Sequence, residues 1–228
     1  MLRRIISVIL CVCLLTIPTA RAGEEKYVAL TFDDGPSGRF TRRLLEGLEQ
    51  RNVKATFLLC GYRLAVYPNL AQQIHDSGHE IGLHGYSHKD FATLSAWELK
   101  KELIDTQKLL PEGCKAVFLR PPGGSGSALV EQVAEKMDLS LLLWSVDPRD
   151  WAVHDASAVE TAVVSQVRDG DVILLHDLSD SSVDAALSII DRLQKEGFRF
   201  VTVSRLAEIR GVTPKPGAVY KNFPAGDG

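Results

Sequence analysis

Thr31-Phe32-Asp33-Asp34-Gly35-Pro36 follows a short apolar run, Tyr27 to Leu30, and sets two adjacent carboxylates in front of a Gly-Pro break. The run alternates too little for a half-exposed strand and is short enough for a buried one. Gly35 and Pro36 end it at once, which predicts that neither aspartate enters regular backbone pairing. Alone, the hexapeptide also reads as a polar turn, because Asp-Gly and Gly-Pro are ordinary turn pairs. What sets it apart is that later strands also close on residues able to bind a metal or carry a proton.

Downstream, Phe40, Leu44, Leu45 and Leu48 recur at helical spacing between Arg39 and Arg51, with Ser37 as N-cap. Apolar runs at 54–59, 80–83, 116–119, 139–146, 172–175 and 198–203 read as further buried strands. Helical patterns lie between them at 69–76, 95–110, 128–136, 159–167 and 183–195, and a short helix surrounds Leu206. Ser95-Ala96-Trp97-Glu98 is a capping box, and the run at 139–146 suits a strand covered on both faces. Such alternation predicts an α/β fold with a parallel sheet, and seven units predict closure into a distorted, TIM-barrel-like (β/α) barrel of about seven parallel strands. Active sites of barrels lie at the carboxyl ends of the strands. Five such ends here carry Asp33 with Asp34, His84, Arg120, Asp147 with Asp150, and His176.

The chain has 228 residues and a net charge of −3 without a basic block, so nothing electrostatic points to nucleic acid. Residues 1–22 pair Arg3 and Arg4 with an apolar run from Ile5 to Ile17 and end on Ala20-Arg21-Ala22, which predicts a secretory signal peptide. The run is shorter than the roughly 20 residues of a spanning helix, although an uncut signal would still anchor the chain. Cys11 and Cys13 would leave with the signal. Cys60 and Cys114 would remain, either paired or as buried free thiols. Residues 23–210 read as one catalytic domain, and 211–228, rich in Gly and Pro, as an irregular tail.

His84-Gly85-Tyr86-Ser87-His88 spaces two imidazoles at i and i+4, the separation that shares one face of a helical turn and suits chelation, although spacing alone favours a surface pair. With one carboxylate they make a three-ligand set, which leaves a position for water as catalytic zinc sites do. His75, His79 and His154 read as structural or solvent-facing.

Five ordered motifs now stand together: Thr31 to Pro36, His84 to His88, Arg120-Pro121-Pro122-Gly123, Asp147-Pro148-Arg149-Asp150-Trp151, and Leu174-Leu175-His176. They resemble those of the polysaccharide deacetylase (NodB-homology) family across nearly all of Tyr27 to Ile209. The resemblance implies that Asp34, His84 and His88 hold one divalent ion, usually zinc, with cobalt, manganese or nickel as alternatives. It implies Asp33 as general base for water, Arg120 as the partner holding Asp33 ionised, His176 as general acid and Asp150 as the group orienting it. Gly123 would offer its amide to the oxyanion, and Trp151 and Leu174 would wall the acetyl site. Three positions depart from the family pattern: Gly123 replaces a usual aromatic, Gly85 a usual Ser or Thr, and Pro148 is also atypical. Altered specificity rather than loss of activity is expected from them.

The implied activity is removal of N-acetyl groups from an N-acetylglucosamine polymer in the cell envelope or outside it. Peptidoglycan comes first and chitin oligomers next, with no stable protein partner implied. An O-acetyl esterase on xylan uses the same machinery, and a silent glycan-binding relative keeps the same barrel. A metal-dependent phosphoesterase would bring further carboxylate ligands for a second ion, which the sequence lacks.

Overall fold

The computed structural model describes residues 25–226. The expected signal peptide, with Cys11 and Cys13, lies outside the described residues. In chain order the elements are β1 (Lys26–Asp33), α1 (Arg39–Gln50), β2 (Thr56–Leu59), α2 (Gly61–Val66), α3 (Pro68–Asp76), β3 (Glu80–Leu83) and α4 (Ala96–Gln107). There follow β4 (Phe118–Leu119), α5 (Ala128–Lys136), β5 (Ser140–Leu142), α6 (Ala156–Val164), β6 (Val172–His176), α7 (Asp180–Lys195), β7 (Phe198–Phe200), α8 (Val203–Ile209) and β8 (Val219–Tyr220).

The strands form one parallel sheet in the order β6-β1-β2-β3-β4-β5-β8, with β7 pairing β1. Val146, just beyond β5, makes a parallel bridge to Ile173 of β6 and brings the two ends of the sheet together. This is the distorted (β/α) barrel expected from the alternation of strands and helices.

Strand parity decides what faces the lumen. Ala29, Leu58, Phe118, Leu142 and Val172 form one apolar cluster with Val203, Leu206 and Ala207 of α8, which places α8 across the amino-terminal end. On the same parity and nearer the other end follow Thr31 and Asp33 on β1, Arg120 after β4, and Leu174 and His176 on β6. The opposite parity, with Leu30, Phe32, Phe57 and Leu59, packs outward with α1, α3 and α7, while Leu83, Leu119 and Leu141 pack with α4 and α5.

Several sequence expectations are corrected. β1 runs through Asp33, which pairs in register with Leu58 and His176, so this aspartate is inside the ladder. Strands on both sides supply partners until the chain turns at Asp34. Residues 84–90 are not helical, so the i,i+4 spacing of His84 and His88 works through an irregular loop. β5 is shorter than the run 139–146, because the chain leaves β4 after Leu142 and reaches β6 at Val146. Ser37 caps nothing: Gly38 is the N-cap of α1, and the Ser37 hydroxyl donates to the Asp177 carbonyl. The tail expected to be irregular contributes β8 and the buried Phe223. The Ser95–Glu98 capping box forms as read, and Cys60 and Cys114 are both free.

Candidate active site

Register and loop geometry bring three motifs to one point. His84 follows β3 directly, and its amide donates to Leu59 on β2. Its Nε2 lies 3.2 Å from Asp34 Oδ1, and His88 Nε2 lies 3.0 Å from the same oxygen. One ligand atom from each of Asp34, His84 and His88 lies within 4.8 Å of the others. Both Asp34 (φ 71°) and His88 (φ 60°) adopt the left-handed region, a strained backbone for such residues that turns the side chains off the paths of strand and loop.

Asp33 stands beside this group without joining it. Its Oδ1 accepts a 2.6 Å ion-paired hydrogen bond from Arg120, and Oδ2 lies 3.8 Å from His84 Nε2. Arg120 is fully buried and also donates to Thr31 Oγ1 and to the carbonyls of Leu142 and Leu143, so its guanidinium is fixed from several sides. On the next strand His176 Nδ1 is 2.9 Å from Asp150 Oδ1, and its amide donates to Asp150 Oδ2 at 2.9 Å. Asp150 is buried, and with Nδ1 engaged the imidazole has Nε2 left for the cleft.

A cavity of about 360 Å³ opens over these groups, and Gly123, Trp151 and Leu174 line it together with Asp33, Asp34, His84, His88 and His176. Arg120 and Asp150 do not line it. They lie behind Asp33 and His176, each bonded to that residue rather than open to the cavity.

A sequence profile described as polysaccharide deacetylase matches residues 20–142, more than half of the chain. The chain belongs to the polysaccharide deacetylase family. The chain is 38% identical over 189 residues to a peptidoglycan-N-acetylglucosamine deacetylase of Bacillus cereus, with 80% of this chain and 89% of that one covered. It is 36% identical over 189 residues to the peptidoglycan-N-acetylmuramic acid deacetylase PdaC of Bacillus subtilis, covering 82% of this chain and 40% of PdaC. It therefore spans well under half the length of that relative. Among solved structures, a family 4 acetyl xylan esterase from Clostridium thermocellum, in complex with a cobalt ion, superposes with a TM-score of 0.81 at 33% identity, covering 87% of this chain and all of that one. These relatives are hydrolases.

Whether these residues fit a divalent ion is decided at Asp34 Oδ1, which is buried and accepts no hydrogen bond. His84 Nδ1 lies 2.7 Å from the Arg120 carbonyl, which only an N–H can satisfy, so in the metal-binding neutral tautomer the lone pair lies on Nε2 and faces Asp34. Lone pairs facing each other at this distance repel unless a cation lies among them. One carboxylate oxygen and two imidazole nitrogens are also the donor set that zinc, cobalt and nickel accept. The residues fit.

Burial opposes ionisation of Asp34, but where the two imidazoles carry a proton on Nε2 they outweigh it and hold the carboxyl far below the ordinary range. The same contact raises His88. At His176 burial works against the charged ring, yet Asp150, with Asp33 and Asp34 beyond it, raises the pKa overall.

Two residues near the site were not singled out by sequence reasoning. Trp144 lines the cavity beside Gly123, with the Arg120 guanidinium 5.6 Å from its ring. A Cβ on Gly124 (φ 71°) would come within 2.9 Å of that ring, so a second left-handed glycine makes room for an aromatic wall. In the sequence Trp144 is hidden inside an apolar run, although Gly123-Gly124 signals a close approach. Asp177 is fully buried behind His176, its carboxylate accepting from Thr41. In the sequence it is marked only by its place directly after His176. Trp151 is half exposed at the cavity rim, with Arg149 over its ring.

Proposed function

We propose that this protein is a metal-dependent glycan N-deacetylase of the cell envelope, with N-acetylglucosamine residues of peptidoglycan as substrate. The observation that carries this reading is the convergence of Asp34, His84 and His88 on one buried, undonated oxygen between Asp33 and His176. Asp34 and the two imidazoles would hold the ion, which when bound supplies Lewis acidity, acidifying water and polarising an acetyl carbonyl.

The chain's own residues do the rest. Asp33, with Oδ1 held by Arg120, has Oδ2 free to take a proton from the attacking water. That water adds to the acetyl carbon, and the Gly123 amide donates to the developing oxyanion. His176 gives its Nε2 proton to the sugar nitrogen as the carbon–nitrogen bond breaks, releasing acetate and a free amine. Asp150 holds the ring and favours its charged form, while Trp144, Trp151 and Leu174 wall the acetyl group.

A second reading, O-deacetylation of xylan, is favoured by the similarity to the acetyl xylan esterase. The amide reading stands first because an amine leaves only once protonated, and His176 with its buried Asp150 supplies that proton. The test is acetate release from peptidoglycan and from acetylated xylan, with and without chelator. Release from peptidoglycan that chelator abolishes and added zinc or cobalt restores is expected. Release from xylan alone overturns the amide reading, and chelator-resistant release overturns the metal.

A further inference from the structure

The loop carrying both imidazoles is neither helix nor strand, and what holds it lies on other elements. On one side the carbonyls of Gly85 and Tyr86 accept from the amides of Gly61 and Tyr62, both at 2.9 Å, at the first turn of α2. On the other side a single side chain collects the donors. Glu102 Oε2 accepts from the amides of Tyr86 and Ser87, each at 2.7 Å, and Oε1 accepts from Ser87 Oγ at 2.7 Å.

The loop needs such outside partners because Gly85 (φ 77°) and His88 (φ 60°) take it away from any regular ladder. A Cβ on Gly85 would meet the Phe91 ring at 2.9 Å, so the tight path tolerates no larger residue. Glu102 projects from α4, which is anchored by its capping box and by buried Leu99 and Leu103 on either side of it. A carboxylate meeting two amides and a hydroxyl makes charge-assisted hydrogen bonds, stronger than neutral ones.

We propose that Glu102 is the positioning residue of the metal-binding loop and sets the affinity for the divalent ion from outside the ligand set. The proposal rests on the metal site described above. His84 is buried at the end of β3 and stays in place without this contact, whereas the His88 side chain is 43% exposed and depends on the path of the loop. Loss of Glu102 therefore costs the site chiefly one imidazole.

The experiment titrates the apo protein with cobalt(II), reading visible absorption, and with zinc against a competing chelator. In Glu102→Ala the affinity is expected to fall by about 10–100-fold, the usual cost of removing a group that orients a ligand, with altered cobalt absorption. Glu102→Gln keeps the shape and one acceptor oxygen and is expected to fall in between. Ser87→Ala, which loses only the hydroxyl contact, is expected to change affinity least. Wild-type affinity and an unchanged spectrum in Glu102→Gln and Glu102→Ala overturn the proposal, and if the alanine variant does not fold the glutamine variant decides it. A wild-type chain that takes up no cobalt overturns the metal reading and this proposal with it.

Discussion

Asp33 and Asp34 are neighbours in the chain with opposite circumstances. The last pairing of β1 fixes Asp33 against Arg120, and a left-handed backbone turns Asp34 towards two imidazoles. Their separation lets Asp33 be tested apart from the metal ligand. Asp33→Asn is expected to lower acetate release by about 10²–10⁴-fold, the range for a positioned general base, while still binding one metal ion per chain. Unchanged turnover, measured beside elemental analysis, would remove Asp33 from the chemistry. At His176, a general acid must be protonated, so activity is expected to decline on the alkaline side as pH rises through its raised pKa. Asp150→Asn removes the partner that raises it. The alkaline limb of the kcat/KM profile is then expected to move to lower pH, and a limb that stays in place would contradict the pairing.

Among the elements, β6 and α1 are tied through Asp177. Its carboxylate accepts from Thr41 on α1, its carbonyl accepts from Ser37, and the Thr41 hydroxyl accepts from the Ser37 amide. The loop that presents Asp34 thus leans on the end of the strand that presents His176. Burial pushes the Asp177 carboxyl up to about 6 from 3.8. The native state therefore holds this proton more tightly than the unfolded chain does. The resulting stability, on the order of 3 kcal/mol, is complete below the unfolded value and is lost as pH rises through about 6. Asp177→Asn keeps an oxygen for Thr41 and cannot ionise. Thermal unfolding measured from about pH 5 to 7.5 is expected to show the variant gaining on the wild type as pH rises. A constant offset between the two curves would refute the raised pKa. Motif order made the strand ends legible in the sequence, but Asp177 and Glu102 were not, because each acts on an element other than its own, Asp177 on α1 and Glu102 on the loop after β3.

Over the whole molecule, strand closure makes the cleft, and the tail completes the barrel. β8 adds to β5, and the Leu143 amide donates to the Tyr220 carbonyl next to Trp144. Phe223 is 2% exposed, stacks on Tyr220 and joins the cluster containing α8. Phe223→Ala is expected to cost about 3–5 kcal/mol in urea unfolding while leaving metal affinity unchanged, since it opens a cavity away from the ligands. A cost near zero would show the tail to be dispensable. Among the described residues no helix is long and apolar enough to cross a membrane.

The sequence by itself determined the order of the first seven strands and of most helices between them, and which side chains arrive at the strand ends, because hydrophobic periodicity and turn residues act over a few positions of the chain. Only the tertiary structure decided that Asp33 sits opposite His176, that a loop rather than a helical turn joins His84 to His88, and that Trp144 rather than residue 123 supplies an aromatic wall. Those outcomes depend on register and on closure at Val146, which are set by packing between segments far apart in the chain.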